Sequence, residues 1–235
     1  MFTADKKLRE ECGVFGVWGH PDSAQIAYYA LHSLQHRGQE GTGIVVTDGD
    51  SLKIRKGEGL VTEIFTQKDI EKLQGHGAIG HVRYSQDGRD GYENVQPLLF
   101  GSQTGSLAVC HNGSLINADA LRFHLENQGS IFQTDSDAEI LAHLTKRGGA
   151  IPFRERLKNA LQLLKGSYAF LLLTETELYA ALDPNGLRPL CLGRLGEGYV
   201  AASETCAFDL IGAEYERDVR PGEIVIIISF QFRCL

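Results

Sequence analysis

The sequence lacks any apolar run long enough to span a membrane, which requires about 20 consecutive residues. Its longest apolar runs, at 169–173 and 224–228, have the length of buried strands. The first eleven residues, MFTADKKLREE, are rich in charge and contain no apolar stretch, so they are not a secretory signal peptide. The sequence therefore predicts a protein that is not bound to a membrane.

Positive charge and cysteine are also scarce. The chain has 23 Lys and Arg against 30 Asp and Glu, a net charge of −7, which leaves no basic patch for phosphates and argues against a nucleic-acid partner. Its five cysteines are odd in number and widely scattered, unlike a disulfide framework. We therefore expect a cytoplasmic protein.

The sequence has no internal repeat and no regular alternation of strands and helices. Predicted strands at 13–19, 44–47, 52–55, 78–84 and 107–110 surround a first helix, which Ser23 caps and Gly38 ends. Three helices follow, at 117–129, 134–148 and 153–165, and then strands at 168–173, 178–182, 190–192, 199–202 and 224–228. This order indicates an α+β layered domain instead of a parallel sheet.

Cys12 stands between the charged leader and the first predicted strand. A lone cysteine is usually a small buried hydrophobic residue, and that interpretation stays open. The alternative is a nucleophile at a new N-terminus, where the neighbouring α-amine, with a pKa of roughly 7.7–8.0, accepts the thiol proton. Gly13 would leave the backbone beside the thiol open to a substrate.

The tripeptide His111-Asn112-Gly113 also permits two interpretations. Asn-Gly is a strong signal for a type I′ hairpin turn. The same residues could form an oxyanion hole, in which the Asn112 side-chain amide and the Gly113 backbone N–H bind the oxygen of a tetrahedral intermediate.

Arg83 and Asp137 could bind the two ends of a free amino acid. Arg83 ends an apolar strand, where an arginine is commonly a solvated surface charge, but its guanidinium also suits a carboxylate. Asp137 lies in the first turn of a predicted helix, where it stabilises the helix dipole. Its carboxylate could instead pair with an α-ammonium group.

Three further patterns do not indicate a site. Gly75–Gly80 matches G-x-G-x-x-G but precedes a strand, so it does not predict a dinucleotide site. His32 and His36 have the spacing of metal ligands on a helix, yet no acidic or cysteine partner lies nearby in sequence, and we expect no metal. Cys110, Cys191 and Cys206 adjoin apolar segments and are expected in the core.

Eight short stretches occur in one order from residue 11 to about 228: ECGVFG (11–16), LQHRGQ (34–39), GHVRY (80–84), HNG (111–113), TDSDAEI (134–140), DPNGLRPL (183–190), ASETCAF (202–208) and RPGE (220–223). In this order they closely resemble the class II glutamine amidotransferases, which are N-terminal-nucleophile hydrolases. Within that family they are most similar to the amidophosphoribosyltransferase branch.

The resemblance implies an αββα sandwich of two antiparallel sheets flanked by helices. It implies that Cys12 forms a glutamyl thioester and that Asn112 and Gly113 form the oxyanion hole. Arg83 would bind the α-carboxylate of L-glutamine and Asp137 its α-amine. The backbone of Gly38 would orient the N-terminal amine.

The resemblance also implies a domain organisation. Residues 1–11 would be a cleaved propeptide, 12–228 the glutaminase domain and 229–235 an atypical or truncated tail. The phosphoribosyltransferase half, which would bind phosphoribosyl pyrophosphate and make 5-phosphoribosylamine for purine synthesis, is expected to be absent from this segment. We expect no cofactor in this segment, whereas full-length relatives use Mg²⁺, often carry a [4Fe–4S] cluster, and would form homo-oligomers.

One residue departs from the family pattern. Gln86 occupies a position after HVRY where the family usually has threonine on a mobile glutamine loop. The longer amide is expected to weaken glutamine binding. It leaves open a catalytically silent glutamine-binding module. Separately, a glutaminase domain serving another acceptor, as in a sugar-phosphate or asparagine synthetase relative, also stays open.

Overall fold

The computed structural model describes residues 12–84, 91–103, 105–147, 151–228 and 231–234. The leader and Gln86 lie outside the described residues. The described helices are α1 (Ser23–Ser33), α2 (Val61–Ile64), α3 (Gln67–Lys72), α4 (Ala118–Asn127), α5 (Asp137–Lys146), α6 (Phe153–Leu161) and α7 (Cys206–Ile211). The described strands are β1 (Gly13–Trp18), β2 (Gly41–Thr47), β3 (Leu52–Glu58), β4 (Gly77–Arg83), β5 (Leu98–Ser102), β6 (Gly105–Leu115), β7 (Gly166–Leu173), β8 (Leu178–Leu182), β9 (Cys191–Leu195), β10 (Gly198–Ala202), β11 (Glu214–Asp218), β12 (Ile224–Ile228) and β13 (Gln231–Cys234).

The described strands form two antiparallel sheets. The first has the order β11-β9-β10-β1-β4-β2-β3, and the second has the order β13-β12-β8-β7-β6-β5. Strand β1 lies in the middle of the first sheet, between β10 and β4. Its first residue, Gly13, pairs with Val82 of β4, and pairing with β10 begins two residues later at Phe15.

Strands β1 and β7 are apolar on both faces because both sheets are covered on both sides. On β1, Val14 packs between the sheets, whereas Phe15 packs against the helices outside the first sheet. On β7, Leu171 faces the other sheet and Phe170 faces the outer helices of the second sheet. This alternation explains why these strands appear in the sequence as continuous apolar runs.

The helices complete four layers. Helices α1 and α7 contact each other and contribute to the cluster outside the first sheet. Helices α4, α5 and α6 cover the second sheet. The expected αββα sandwich is confirmed.

Several sequence expectations need correction. Ser23 is the first residue of α1 and not its cap; its hydroxyl donates to the Gly75 carbonyl. The first helix changes to a 3-10 turn at Leu34–Arg37 before Gly38. Helix α6 ends at Leu161, earlier than the expected 165. The boundary of an atypical or truncated tail at 229 stays a prediction; within that tail, β13 pairs with β12.

No helix among the described residues is both long and apolar enough to cross a bilayer.

Candidate active site

Cys12 lies immediately before β1 and is half-buried. Its backbone N–H donates to the Arg37 carbonyl at 3.1 Å. Its thiol meets the backbone of Tyr84, whose N–H and carbonyl both lie 3.4 Å from Sγ. Cys12 has a φ of 62°, a left-handed conformation that costs a non-glycine residue about 1–3 kcal/mol. Contacts from two segments thus hold the cysteine in a strained conformation.

Arg37 is a site residue that the sequence reasoning did not single out. Its side chain is buried, its Nε donates to the Cys12 carbonyl at 2.7 Å, and its guanidinium pairs with Glu204. Burial alone would raise the pKa of Glu204, but the Arg37 guanidinium outweighs burial and holds that pKa below its usual range. The only available signal was the LQHRGQ stretch, which carries Arg37 beside Gly38.

The fold also gives His36 partners that its sequence neighbourhood lacked. Its Nε2 lies 3.0 Å from Glu204, and the Cys206 thiol lies 3.6 Å from the same carboxylate. Among the described ranges this is the one group of three potential metal ligands, and it cannot supply the four thiolates of an iron–sulfur cluster. The Glu204 charge is already neutralised by Arg37, so the group is best described as an ion-pair network.

Gly38 and Arg83 pack against each other beside Cys12. A Cβ on Gly38 would lie 2.5 Å from the carbonyl carbon of Arg83, so this close approach, and not an unusual φ, requires glycine. Arg83 ends β4 and is 8% exposed, which makes the surface-charge interpretation wrong. Burial lowers the pKa of Lys56 to about 8, and the Arg83 charge adds to that lowering.

Asn112 and Gly113 lie inside β6, so the hairpin-turn interpretation is wrong. Gly113 pairs with Tyr168 and has a φ of +141°, and a Cβ there would lie 2.1 Å from the Ser167 carbonyl oxygen. The Asn112 side chain is fully buried, and neither its Nδ2 nor its Oδ1 has a hydrogen-bond partner among the described residues. A buried amide without partners costs free energy unless a ligand satisfies it.

Contacts between the sheets place these residues at one end of the sandwich. The Cys110 thiol contacts the Gly80 carbonyl at 3.7 Å, and His81 Nε2 lies 3.2 Å from the His111 carbonyl. Strands β4 and β6, which face each other across the two sheets, therefore run in the same direction. Continuing one to two residues brings Asn112 and Gly113 to the level of Arg83, beside which Cys12 precedes β1.

Asp137 is the first residue of α5, as predicted, and is partly buried. Its Oδ2 accepts the backbone N–H of Leu115 at 2.8 Å, two residues after Gly113. The structure thus ties the start of α5 to the strand that carries Asn112.

Two buried histidines near this end, His81 and His111, are poor proton acceptors. Burial lowers the pKa of His81 to about 3. Burial also lowers the pKa of His111 to about 3. Both imidazoles are therefore neutral near pH 7 and only weakly basic, so neither is suited to deprotonate a thiol.

Comparison with known proteins shows the family to which the chain belongs. A family model described as "Glutamine amidotransferase domain" matches residues 81–209, more than half of the chain. Amidophosphoribosyltransferase of Bacillus subtilis is 62% identical over 228 residues, covering 97% of this chain and 48% of the relative. The enzyme of the same name from Staphylococcus aureus is 52% identical, covering 94% of this chain and 45% of the relative.

A solved structure of glutamine phosphoribosylpyrophosphate amidotransferase from B. subtilis, complexed with ADP and GMP, superposes with a TM-score of 0.91 at 60% identity. The match covers 95% of this chain and 49% of the chain in that structure. The chain thus spans about half the length of the relatives that it matches. The chain belongs to the glutamine amidotransferase domain family.

Proposed function

We propose that this chain hydrolyses L-glutamine to glutamate and ammonia, with Cys12 as the nucleophile. The observation that carries the proposal is the fully buried, unpartnered amide of Asn112 at the end of the sandwich where Cys12 lies. An oxyanion that forms beside that amide would accept the hydrogen bond that Asn112 Nδ2 donates to no protein group among the described residues.

Removal of residues 1–11 would give Cys12 a free α-amine. That amine, adjacent to the thiol on the same residue, accepts the thiol proton, whereas the buried His81 and His111 are too weakly basic to do so. The thiolate then attacks the glutamine side-chain carbonyl carbon, and the oxyanion is stabilised by Asn112 and the Gly113 N–H. Collapse of the intermediate breaks the C–N bond, the α-ammonium returns the proton to the leaving ammonia, and water hydrolyses the thioester.

Two residues are assigned to the two charged groups of the substrate glutamine. Arg83 would bind the α-carboxylate through its guanidinium, since it is buried at the end of β4. Asp137 would bind the α-ammonium group. The backbone of Gly38, packed on Arg83, would orient the α-amine of Cys12.

For the whole protein, we propose that the ammonia reacts with phosphoribosyl pyrophosphate to give 5-phosphoribosylamine, the first step of purine synthesis. The names of the relatives support this acceptor over a sugar phosphate or aspartate. The transferase half, its Mg²⁺ and any iron–sulfur cluster would belong to segments outside this chain. A cytoplasmic homo-oligomer would be the working form.

The test is an assay of glutamate and ammonia release from glutamine by the purified chain. Cys12→Ala should abolish release, while Cys191→Ala, which alters a buried thiol of β9, should retain it. Equal rates for Cys12→Ala and the unmodified chain would refute the proposal. A chain that binds glutamine without releasing ammonia would support the silent module instead.

A further inference from the structure

Gln96 contacts both halves of the proposed site but takes no part in the mechanism above. It lies just before β5 and is 7% exposed. Its Oε1 accepts the backbone N–H of His111 at 2.7 Å. Its Nε2 donates to the Ser136 hydroxyl at 3.3 Å. One side-chain amide therefore joins two segments that are 25 residues apart, from His111 to Ser136.

The first of these bonds continues a strand ladder by means of a side chain. Strands β5 and β6 pair with Leu98 opposite Val109, and the same register would place Gln96 opposite His111. Pairing ends at Leu98, and the intervening Pro97 has no N–H to donate. The Gln96 amide oxygen takes the place of the missing backbone acceptor, directly before Asn112.

The second bond reaches the start of α5. Ser136 is the N-cap of this helix, and its hydroxyl accepts the Ala138 N–H. Asp137 lies between these two residues and is tied to β6 through Leu115. A shift of Ser136 would therefore move the carboxylate proposed to bind the α-ammonium group.

Gln96 is itself held by the first sheet. A Cβ on Gly43 of β2 would lie 2.5 Å from the Gln96 carbonyl oxygen, which shows how closely the two backbones approach. Lys56 of β3 donates to the Val95 carbonyl at 2.6 Å. The side-chain amide of Asn94 accepts the Asp135 N–H at 2.9 Å. The position of Gln96 is thus fixed by contacts with strands on the Cys12 side of the sandwich.

We propose that Gln96 is a positioning residue that sets the oxyanion hole and the α-ammonium site at a fixed distance from each other; this rests on the proposed glutaminase function. Glutamine must reach both groups at once, because its amide carbonyl and its α-amine are at opposite ends of one molecule. Loss of the Gln96 amide would leave Asn112 on its strand and Asp137 on its helix but relax the spacing between them.

The test compares two variants that each replace a buried polar side chain with an apolar one of similar shape. Gln96→Met removes both bonds described above. The matched control is Thr47→Val: Thr47 is fully buried and its hydroxyl also bonds two segments, Glu175 and Gly49. Thr47 pairs with Gly77, at the opposite end of β4 from Arg83. Each chain is assayed after intact mass shows that its N-terminus is Cys12.

We expect Gln96→Met to lower kcat and raise KM for glutamine, with kcat/KM reduced about 10- to 100-fold, as for other misplaced catalytic groups. For Thr47→Val, kcat/KM should stay within about twofold of the unmodified chain, even if its Tm falls as far as that of Gln96→Met. Ser136→Ala removes the Gln96 Nε2 bond and the cap of α5 but keeps the Gln96 Oε1 bond to His111. It should raise KM more than it lowers kcat.

If Gln96→Met matches Thr47→Val in both kcat and KM, Gln96 only stabilises the fold and the proposal is wrong. If Gln96→Met does not fold, an unchanged KM in Ser136→Ala overturns the proposal in the same way. If the unmodified chain, with its N-terminus at Cys12, releases no ammonia, the proposed glutaminase function fails and this inference fails with it.

Discussion

At the scale of single residues, the site depends on backbone contacts as much as on side chains. Cys12 is held by the Arg37 carbonyl and by the backbone of Tyr84, and it adopts a positive φ. A left-handed non-glycine residue persists only when its surroundings determine its conformation. The buried Arg37 side chain provides one such constraint through the Cys12 carbonyl. These constraints present the thiol in one direction.

Asn112→Ala should reduce the rate of glutamine hydrolysis and leave glutamine binding largely intact. The amide is expected to bind charge that develops only in the transition state, so kcat should fall roughly 10²–10³-fold. Steady-state kinetics measures this change. As the control for binding, glutamine is titrated calorimetrically into the single variant Cys12→Ala and into a double variant that also carries Asn112→Ala. The two dissociation constants should be similar. A rise in KM at constant kcat would show that Asn112 contributes to substrate binding and not to the transition state.

Arg83→Lys should have the opposite effect. An ammonium group cannot form the bidentate contact that a guanidinium makes with a carboxylate, so KM for glutamine should rise while kcat changes little. The same assay on a substrate analogue without the α-carboxylate gives the control: the unmodified chain and Arg83→Lys should process it equally poorly. If the variant also lost activity on that analogue, Arg83 would have another role.

At the scale of helices and strands, the sequence predicted most of the elements that are buried on both faces. The predicted strands 178–182 and 224–228 match β8 and β12 at both ends, because their apolar runs are bounded by polar and turn residues. The sequence did not predict β5, whose apolar run at 98–100 is only three residues long, or β11, whose residues are largely exposed and show no apolar run. Short helices α2, α3 and α7 were missed because six or fewer residues show no clear periodicity.

The site was predicted less completely than the fold. Motif order and chemistry indicated Cys12, Arg83, Asn112 and Asp137, and the structure places the first three at one end of the sandwich. Their roles stay predictions. Gln96 could not have been found from local sequence, because its partners lie at residues 111 and 136 and depend on strand register. Asn-Gly was ambiguous for a similar reason: only pairing with β7 places it within a strand.

An ion pair links β11 to the turn before β12, and it should make stability depend on pH. Burial alone would raise the pKa of Glu223, but two bonds from Arg217, at 2.8 and 2.9 Å, outweigh it and lower that pKa to about 2. Because the folded-state pKa is lowered, the stabilisation is fully present above the unfolded-state pKa of about 4.3. It is lost as the pH falls toward 2.

Glu223→Gln should therefore lower the free energy of unfolding by about 1.5–3 kcal/mol near neutral pH. The difference from the unmodified chain should shrink as the pH is lowered from about 4.5 toward 2. Urea denaturation across this range measures it. Glu197→Gln, the same charge change in the exposed turn between β9 and β10, is the control. A difference that did not depend on pH would show that the Glu223 charge is not responsible.

At the scale of the whole molecule, two sheets bring distant parts of the sequence to one end of a sandwich. The first sheet supplies Cys12 and Arg83, and the second supplies Asn112 and Gly113. The inter-sheet contacts at Gly80 and His81 fix their relative level. This arrangement uses only about half the length of the relatives. The glutaminase chemistry proposed here therefore needs one domain, and transfer of the ammonia would need another.

The central claim is that Cys12 acts as an N-terminal nucleophile, and one experiment tests it most directly. Active protein is treated with a glutamine-analogue electrophile, and the labelled peptide is sequenced by mass spectrometry. We predict that it begins Cys-Gly-Val-Phe, that the label is on the Cys12 sulfur, and that chains retaining residues 1–11 are not labelled. Full activity and labelling of a chain that still begins at Met1 would contradict the account, because the α-amine of Cys12 would then be part of a peptide bond.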